Sequence, residues 1–426
     1  MELVVFFSLF LLLLFLNCSV AFSMLLSSFV FIYIKDIPPM ILAERISAGL
    51  FSFPLLAMPF FILAARIMNS AGITNRIFNF SIAMVSHFRG GLAHVNVISS
   101  MIFSGISGSA MADVAGLGAV EVKAMKENGY DAGYTAAITA ASCTIGPVVP
   151  PSMLMILLGV MMEESVGRLF AAGFLPGILM GFSLMALIYI QSFSKTVAFP
   201  PPTRKAGRNE RIKAFKEGFW ALLAPLIILG AILSGVVTPT EAGIIAVIYA
   251  TFLGILFKEI TFTSFIEALK DSALQTGVVM FIVSAAQIFA WIITTEQAAL
   301  AAYDYVVQYV SSKWAILLII NIVLLFMGCL IEGLAVILIM VPVLLPVAKA
   351  LGVDPTHFGV FLLINILIGL LTPPLGLGVY IASNVAEVPA VEGFKKTLPF
   401  LIPLIITLLL VTYIPQITLF IPNLIF

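Results

Sequence analysis

CTIGPVVPPSM, residues 143–153, is matched at a shift of 223 residues within LIGLLTPPLGLG, residues 367–378, so that Gly146 falls on Gly369 and Pro150 and Pro151 fall on Pro373 and Pro374. The match spreads outward without a gap. Lys35 meets Lys258, Asp36 meets Glu259, Glu44 meets Glu267, Gly105 meets Gly328, Lys126 meets Lys349, Gly129 meets Gly352, Asp131 meets Asp354, Glu164 meets Glu387 and Pro176 meets Pro399. With 21 acidic residues in 426, chance would pair acid with acid about half a time; it happens four times, and the chain reads as a duplication.

The solvent of these halves is set by composition. Hydrophobic residues make up 62% of the chain and charged residues 10%, far from the balance of a soluble domain. The runs 3–34, 218–257, 314–347 and 398–426 carry few or no charges and reach the roughly 18 to 20 residues that span a bilayer. An all-α polytopic membrane protein follows, with lipid as its surroundings. The opening MELVVFFSLFLLLLFL has an acid where a signal peptide carries bases and is read as the first membrane segment.

Net charge is zero, so no nucleic-acid partner is implied. Between Lys195 and Glu217, however, seven bases stand against two acids, and the bias of Lys and Arg to cytoplasmic loops places this connection inside. The expected organisation is a first repeat over 1–203, a basic cytoplasmic linker over 204–223 and a second repeat over 224–426. If the repeats are inverted, each crosses an odd number of times and both termini face outward.

Cys18, Cys143 and Cys329 stand singly with no C-x-x-C spacing, and His87 and His94 lack a third ligand, so neither a disulfide framework nor a zinc site is indicated. No G-x-x-x-x-G-K-[ST] occurs, so the chain does not spend ATP itself. Duplicated halves in a very apolar chain point to a secondary transporter driven by a gradient.

Four helix-breaking stretches carry the chemistry. SSMIFSGISGSAMADVAGLG (99–118) concentrates Gly and Ser between Ser104 and Ser109, and CTIGPVVPPSM places three prolines at membrane depth. The second half repeats both, as LFMGCLIEGLAV (325–336) and LIGLLTPPLGLG. Proline lacks the amide donor of the helix ladder, and irregular backbone at membrane depth is tolerated where it is buried in protein or lines a cavity. The freed carbonyls are hard ligands for a small cation, and half-helix N-termini attract an anion. Glu332 stands where Ser109 stands in the first half, so the two are expected to face each other across the repeat axis. Asp113 is one turn beyond Ser109, and an acid within the membrane tends to mark a pathway. Arg66, in FFILAARIMNSAG, reads as a side chain snorkelling from a hairpin end.

SFPLLAMPFFILAARIMNSAGI, FRGGLAHVNVISSMIFSGISGSAMADVAGLG, AAITAASCTIGPVVPPSM, ILSGVVTPTEAG and IGLLTPPLGLGVYIAS resemble the signature segments of the large membrane subunit of tripartite ATP-independent periplasmic (TRAP) transporters. The likeness covers essentially the whole chain. It implies a sodium-coupled importer of organic acid anions, of the sialic acid or C4-dicarboxylate class, in the bacterial inner membrane. Its implied partners are a small TRAP membrane subunit and a periplasmic substrate-binding protein.

The implied fold has two inverted repeats, about eleven transmembrane helices and two re-entrant hairpins, arranged as a scaffold and an elevator-type transport domain. By the same resemblance one sodium site uses Ser104, Ser107, Gly146, Val149 and Pro150, and a second uses Gly328, Gly369, Thr372 and Leu375. Ser109, Ser152 and Glu332, with Asp113, are the substrate candidates. The sequence departs from the family pattern at Glu332-Gly333 and in ITTEQAAL (293–300), where Ala replaces a common proline, so the hairpin limits stay open there. Two alternatives remain: a stand-alone anion and sodium symporter or antiporter without a binding protein, and an intramembrane serine protease built on GISG (105–108) with His357. Against the second, the repeat equivalent of Ser107 is Leu330.

Overall fold

The computed structural model describes residues 2–193, 199–201, 204–310 and 312–426, apart from the side chains of 301, 302, 305 and 306; Lys195 of the basic connection, and positions 202–203 at the end of the first repeat, lie outside them. The described residues form helices and no strand. The first half comprises α1 (Glu2–Phe15), α2 (Val20–Ile34), α3 (Met40–Leu50), a 3-10 turn (Phe53–Leu56), α4 (Ala57–Ser70), α5 (Ile73–Val85), α6 (Gly91–Ser107), α7 (Ala110–Ala115), α8 (Leu117–Glu127), α9 (Ala132–Cys143), α10 (Met153–Met162) and α11 (Val166–Gln191). The second comprises α12 (Arg208–Leu233), α13 (Pro239–Leu256), α14 (Phe262–Thr295), α15 (Ala298–Tyr309), α16 (Lys313–Leu330), α17 (Gly333–Ala350), α18 (Pro355–Gly369), α19 (Leu377–Ala386), α20 (Ala390–Tyr413) and α21 (Gln416–Ile425).

Moved by 223 residues, the starts of α6, α9, α10 and α11 fall within one residue of those of α16, α18, α19 and α20. The same local chemistry starts them. Asp131 caps α9 by accepting from the Tyr134 amide at 2.7 Å, and Asp354 caps α18 by accepting from the His357 amide at 3.2 Å. Each cap is also paired to a base on a long helix of the other half, Asp131 to Lys396 at 3.4 Å and Asp354 to Arg168 at 3.2 Å.

The halves differ where single residues differ. Pro54 opens the 3-10 turn between α3 and α4; its counterpart is Gly277, and there α14 continues unbroken for 34 residues. At 1.5 Å per residue α14 is about 51 Å long, well beyond a hydrocarbon core of about 30 Å. It ends at Thr295, and the left-handed Gln297 (φ 51°) places the break of ITTEQAAL just before Ala298.

Among the described residues eight helical stretches are long and apolar enough to cross a membrane singly, against the expected count of about eleven; the other apolar helices run 10–17 residues. On α2 the outward face is Phe22, Leu26, Phe29 and Tyr33, all exposed, while Ser23, Ser27 and Ser28 are buried. Apolar side chains outside and serines turned inward are the arrangement of a helix packed in lipid, with Met24, Phe31 and Ile32 buried beside those serines. The two halves interlock: α9 packs against α19 and α20, and α4 against α13 and α14.

Buried side-chain networks tie the interior together. Asn96 donates to Thr139 at 2.9 Å and accepts from Ser142 at 2.6 Å, joining α6 to α9. In the second half Asn365 donates to Asn321 at 2.7 Å, and Asn321 donates to Thr412 at 3.1 Å, joining α18, α16 and α20. Interhelical hydrogen bonds in membranes contribute roughly 0.6–2 kcal/mol. Asn365→Ala is therefore expected to lower the thermal denaturation midpoint of the purified chain by a few degrees. An unchanged midpoint would show that this network adds nothing to stability.

Candidate functional site

α6 ends because Gly108 turns left-handed (φ 58°), and α7 begins again after Ser109, whose hydroxyl accepts from the Ala112 amide at 3.4 Å. Gly108 is needed for space as well as for its dihedral: a Cβ there would strike the Pro151 carbonyl oxygen at 2.6 Å. The first broken helix thus lies directly on the tip of the first Pro-Pro segment. That segment, 144–152, separates α9 from α10 and is buried throughout. No hydrogen bond among the described residues ends on the carbonyls of Gly146, Val149 or Pro150.

Ser107, Asp113 and Gly146 come together beside this tip. The Ser107 hydroxyl donates to one Asp113 carboxylate oxygen. The other oxygen has no hydrogen-bond partner among the described residues, although Asp113 is only 2% exposed, and a Cβ on Gly146 would collide with it. A buried, unpartnered carboxylate oxygen is costly, and here it stands beside Gly146, at a segment where the carbonyls of Gly146, Val149 and Pro150 accept no hydrogen bond among the described residues. Asp113 lines neither of the cavities described below and lies instead with Ser107 and Gly146. The Ser104 hydroxyl is turned back to the Ser100 carbonyl, leaving its oxygen lone pairs available.

The second set lies where α16 and α18 touch through their backbones. A Cβ on Gly369 would overlap the main-chain carbon atoms of Gly328. Beyond Gly369 the chain breaks over 370–376 before α19, and both Pro-Pro peptide bonds, 150–151 and 373–374, are cis. The Thr372 hydroxyl donates to the Ile368 carbonyl at 3.0 Å, so its lone pairs also stay free. Unlike its buried counterpart, this tip is open: Pro373, Pro374 and Leu375 are exposed.

Between the sets lie two adjoining cavities. The smaller, about 300 Å³, is lined by Ser109 and Glu332 together with Pro147, Leu154, Leu367 and Leu370. Residues at corresponding places of the two halves therefore do share one space, flanked by both Pro-Pro breaks. The larger, about 430 Å³, is lined by Ser107, Ser109, Asn69, Gln275 and Arg66. Arg66, which the sequence reads as snorkelling from a hairpin end, also lines this space, on one helical face with Ile62 and Asn69. Ser152 lines neither cavity. It is buried and caps α10, accepting from the Met155 amide at 3.2 Å. The protease alternative is not assembled either: Ser107 bonds Asp113, whereas His357 bonds Thr418 at 2.7 Å and the Thr412 carbonyl at 3.2 Å.

Interrupted helices around internal cavities, in an all-helical polytopic membrane protein, have the general form of a secondary transporter's membrane domain. The tripartite ATP-independent periplasmic transporter, DctM component, matches residues 7–417, and the chain belongs to that family. It is 43% identical to the sialic acid TRAP transporter large permease protein SiaM of Vibrio cholerae, covering 97% of this chain and 96% of that protein. It is 43% identical to the sialic acid TRAP transporter permease protein SiaT of Haemophilus influenzae, covering 89% of this chain and 62% of the longer relative. Identity to the C4-dicarboxylate TRAP transporter large permease protein DctM of Pseudomonas aeruginosa is 38%, over 87% and 86% of the two chains. Among solved structures, the YdaH transporter of Alcanivorax borkumensis shares the fold, with a TM-score of 0.60 at 14% identity over 87% of this chain and 86% of that one.

Proposed function

We propose that this chain is the large membrane subunit of a sodium-coupled importer of an organic acid anion, of the sialic acid or C4-dicarboxylate class, in the bacterial inner membrane. A periplasmic binding protein delivers the anion, and a small TRAP membrane subunit completes the permease. The observation that carries this reading is that Ser109 and Glu332 line one cavity flanked by two Pro-Pro breaks with free main-chain oxygens.

Sodium binds in two places: at Ser104, Ser107, Gly146, Val149 and Pro150 with Asp113 behind them, and at Gly328, Gly369, Thr372 and Leu375. The halves are inverted repeats, so both termini face the periplasm and the basic linker faces the cytoplasm. The cycle is an elevator stroke in which loaded or empty transport elements move against a scaffold. Coupling is differential affinity, since sodium drives uptake only if it binds the substrate-competent arrangement better than the empty one. Ser152 acts on the substrate through the start of α10, which its hydroxyl caps.

The test is uptake of labelled sialic acid and of succinate into proteoliposomes holding the permease, with the binding protein supplied outside. Uptake is expected to require an inward sodium gradient, and uptake indifferent to sodium would reject the proposal. Thr372→Ala removes a hydroxyl oxygen but leaves the backbone, and should raise the half-saturating sodium concentration several-fold, as the loss of about 1 kcal/mol would. The preference between the two acids should stay as it is.

A further inference from the structure

We infer that Arg66 anchors the carboxylate of the transported anion and that Glu332 receives its hydroxyl or amide donors, so that the site selects polyhydroxylated monocarboxylates over dicarboxylates. This deepens the transport reading above and rests on it.

The assignment starts from the direction of one helix face. On α4, Ile62, Ala65, Arg66 and Asn69 are spaced three and four apart and all line the larger cavity, so Arg66, although its side chain is 44% exposed, borders that space. Asn69, Gln275 and Ser109 line the same cavity and supply neutral hydrogen-bonding groups, while the Asp271 carboxylate lies to one side of the guanidinium. Arg66 is the one charged residue lining the larger cavity among the described residues, and Glu332 the one lining the smaller. The two spaces adjoin along Ser109, Met111, Met153 and Gln275, so a ligand lying across them meets a positive charge on one side and a negative charge on the other.

The guanidinium is free enough to be used. Its ion pair with Asp271 is a single 3.7 Å contact between side chains 44% and 55% exposed. Such exposed pairs contribute little. A ligand carboxylate can take the planar fork in two parallel hydrogen bonds, which is the stronger arrangement. Glu332 works the other way. As a carboxylate it accepts hydrogen bonds only, so it rewards hydroxyl and amide donors and repels a second carboxylate. A four-carbon diacid seated on Arg66 would present its far carboxylate to a wall that holds Glu332 and no compensating base among the described residues.

Binding to the purified permease complex in lipid nanodiscs, with sodium present, tests this with sialic acid, gluconate and succinate as probes. At least one of the two hydroxylated monoacids should bind more tightly than succinate. Arg66→Gln should weaken that monoacid by at least about tenfold, the effect of losing a charge-assisted hydrogen bond, while the thermal midpoint without ligand stays unchanged. Arg66→Lys, which keeps the charge and loses the fork, should recover part of the loss. Glu332→Gln should tighten succinate at least about threefold by removing the repulsion. Succinate binding more tightly than both monoacids, equal monoacid affinity in Arg66→Gln, or a lysine variant no better than glutamine would each overturn the assignment. In those cases sodium-driven uptake by the unaltered chain would still stand; if the unaltered complex takes up none of the three acids, the transport reading falls and this inference with it.

Discussion

Gly369→Ala is expected to cut uptake by about a hundredfold or more, because the added methyl lands on the backbone of Gly328 and nothing there can rotate aside. Overpacking typically costs roughly 1–3 kcal/mol even where side chains can yield. At this contact the obstructing atoms are main chain of α16, so relief requires the two helices to separate. Separation would also pull apart the backbone oxygens proposed to share the second sodium ion. Initial uptake rates, normalised to folded protein recovered by size-exclusion chromatography, check this. Rates close to those of the unaltered chain would mean that α16 and α18 do not need to touch. By contrast, alanine at Gly230, where a Cβ meets nothing within 4 Å, should leave uptake unaltered and serves as the control.

Asp113→Asn is the second large effect. The substitution preserves shape and the contact to Ser107 but removes the formal negative charge beside Gly146. Two unit charges 4 Å apart attract by about 4 kcal/mol at an effective dielectric of 20, more than a neutral carbonyl or amide oxygen can replace. The half-saturating sodium concentration for uptake is therefore expected to rise by at least about tenfold. Ser107→Ala, which removes one hydrogen bond, should produce a smaller shift in the same direction. An asparagine variant with the sodium titration of the unaltered chain would place the cation elsewhere.

The helix breaks and the matching helix starts were legible because they rest on residues with few conformational choices. The adjacent prolines Pro150-Pro151 and Pro373-Pro374 fall in breaks, whereas single prolines such as Pro176 and Pro399 stay inside continuous helices, and Asp131 and Asp354 cap helices from matching positions. Fine differences were not legible: Gly116, which divides α7 from α8, reads as readily as a packing glycine, and its counterpart Ile339 sits inside the continuous α17.

Side-chain destinations were the hardest. Ser152 sits beside a Pro-Pro break and caps α10 much as Ser109 caps α7, yet it is buried and lines neither cavity. Asp113 was grouped with Ser109 by proximity along the chain, whereas the left turn at Gly108 swings it back to Ser107 and Gly146. Arg66 was read from its place near a hairpin end; its true surroundings depend on α14 and on the α6–α7 break, which are distant in sequence.

The enclosed tip at 144–152 and the uncovered tip at Pro373–Leu375 carry the same motif in unlike settings. For a molecule made of two related halves, such inequality is informative: what one loop has as its lid, the other lacks, and nothing covalent prevents the roles from being traded. A cysteine-directed, water-soluble reagent should therefore mark a thiol introduced at 375 and spare one at 149 in this form, and the reversed pattern would be the signature of its counterpart.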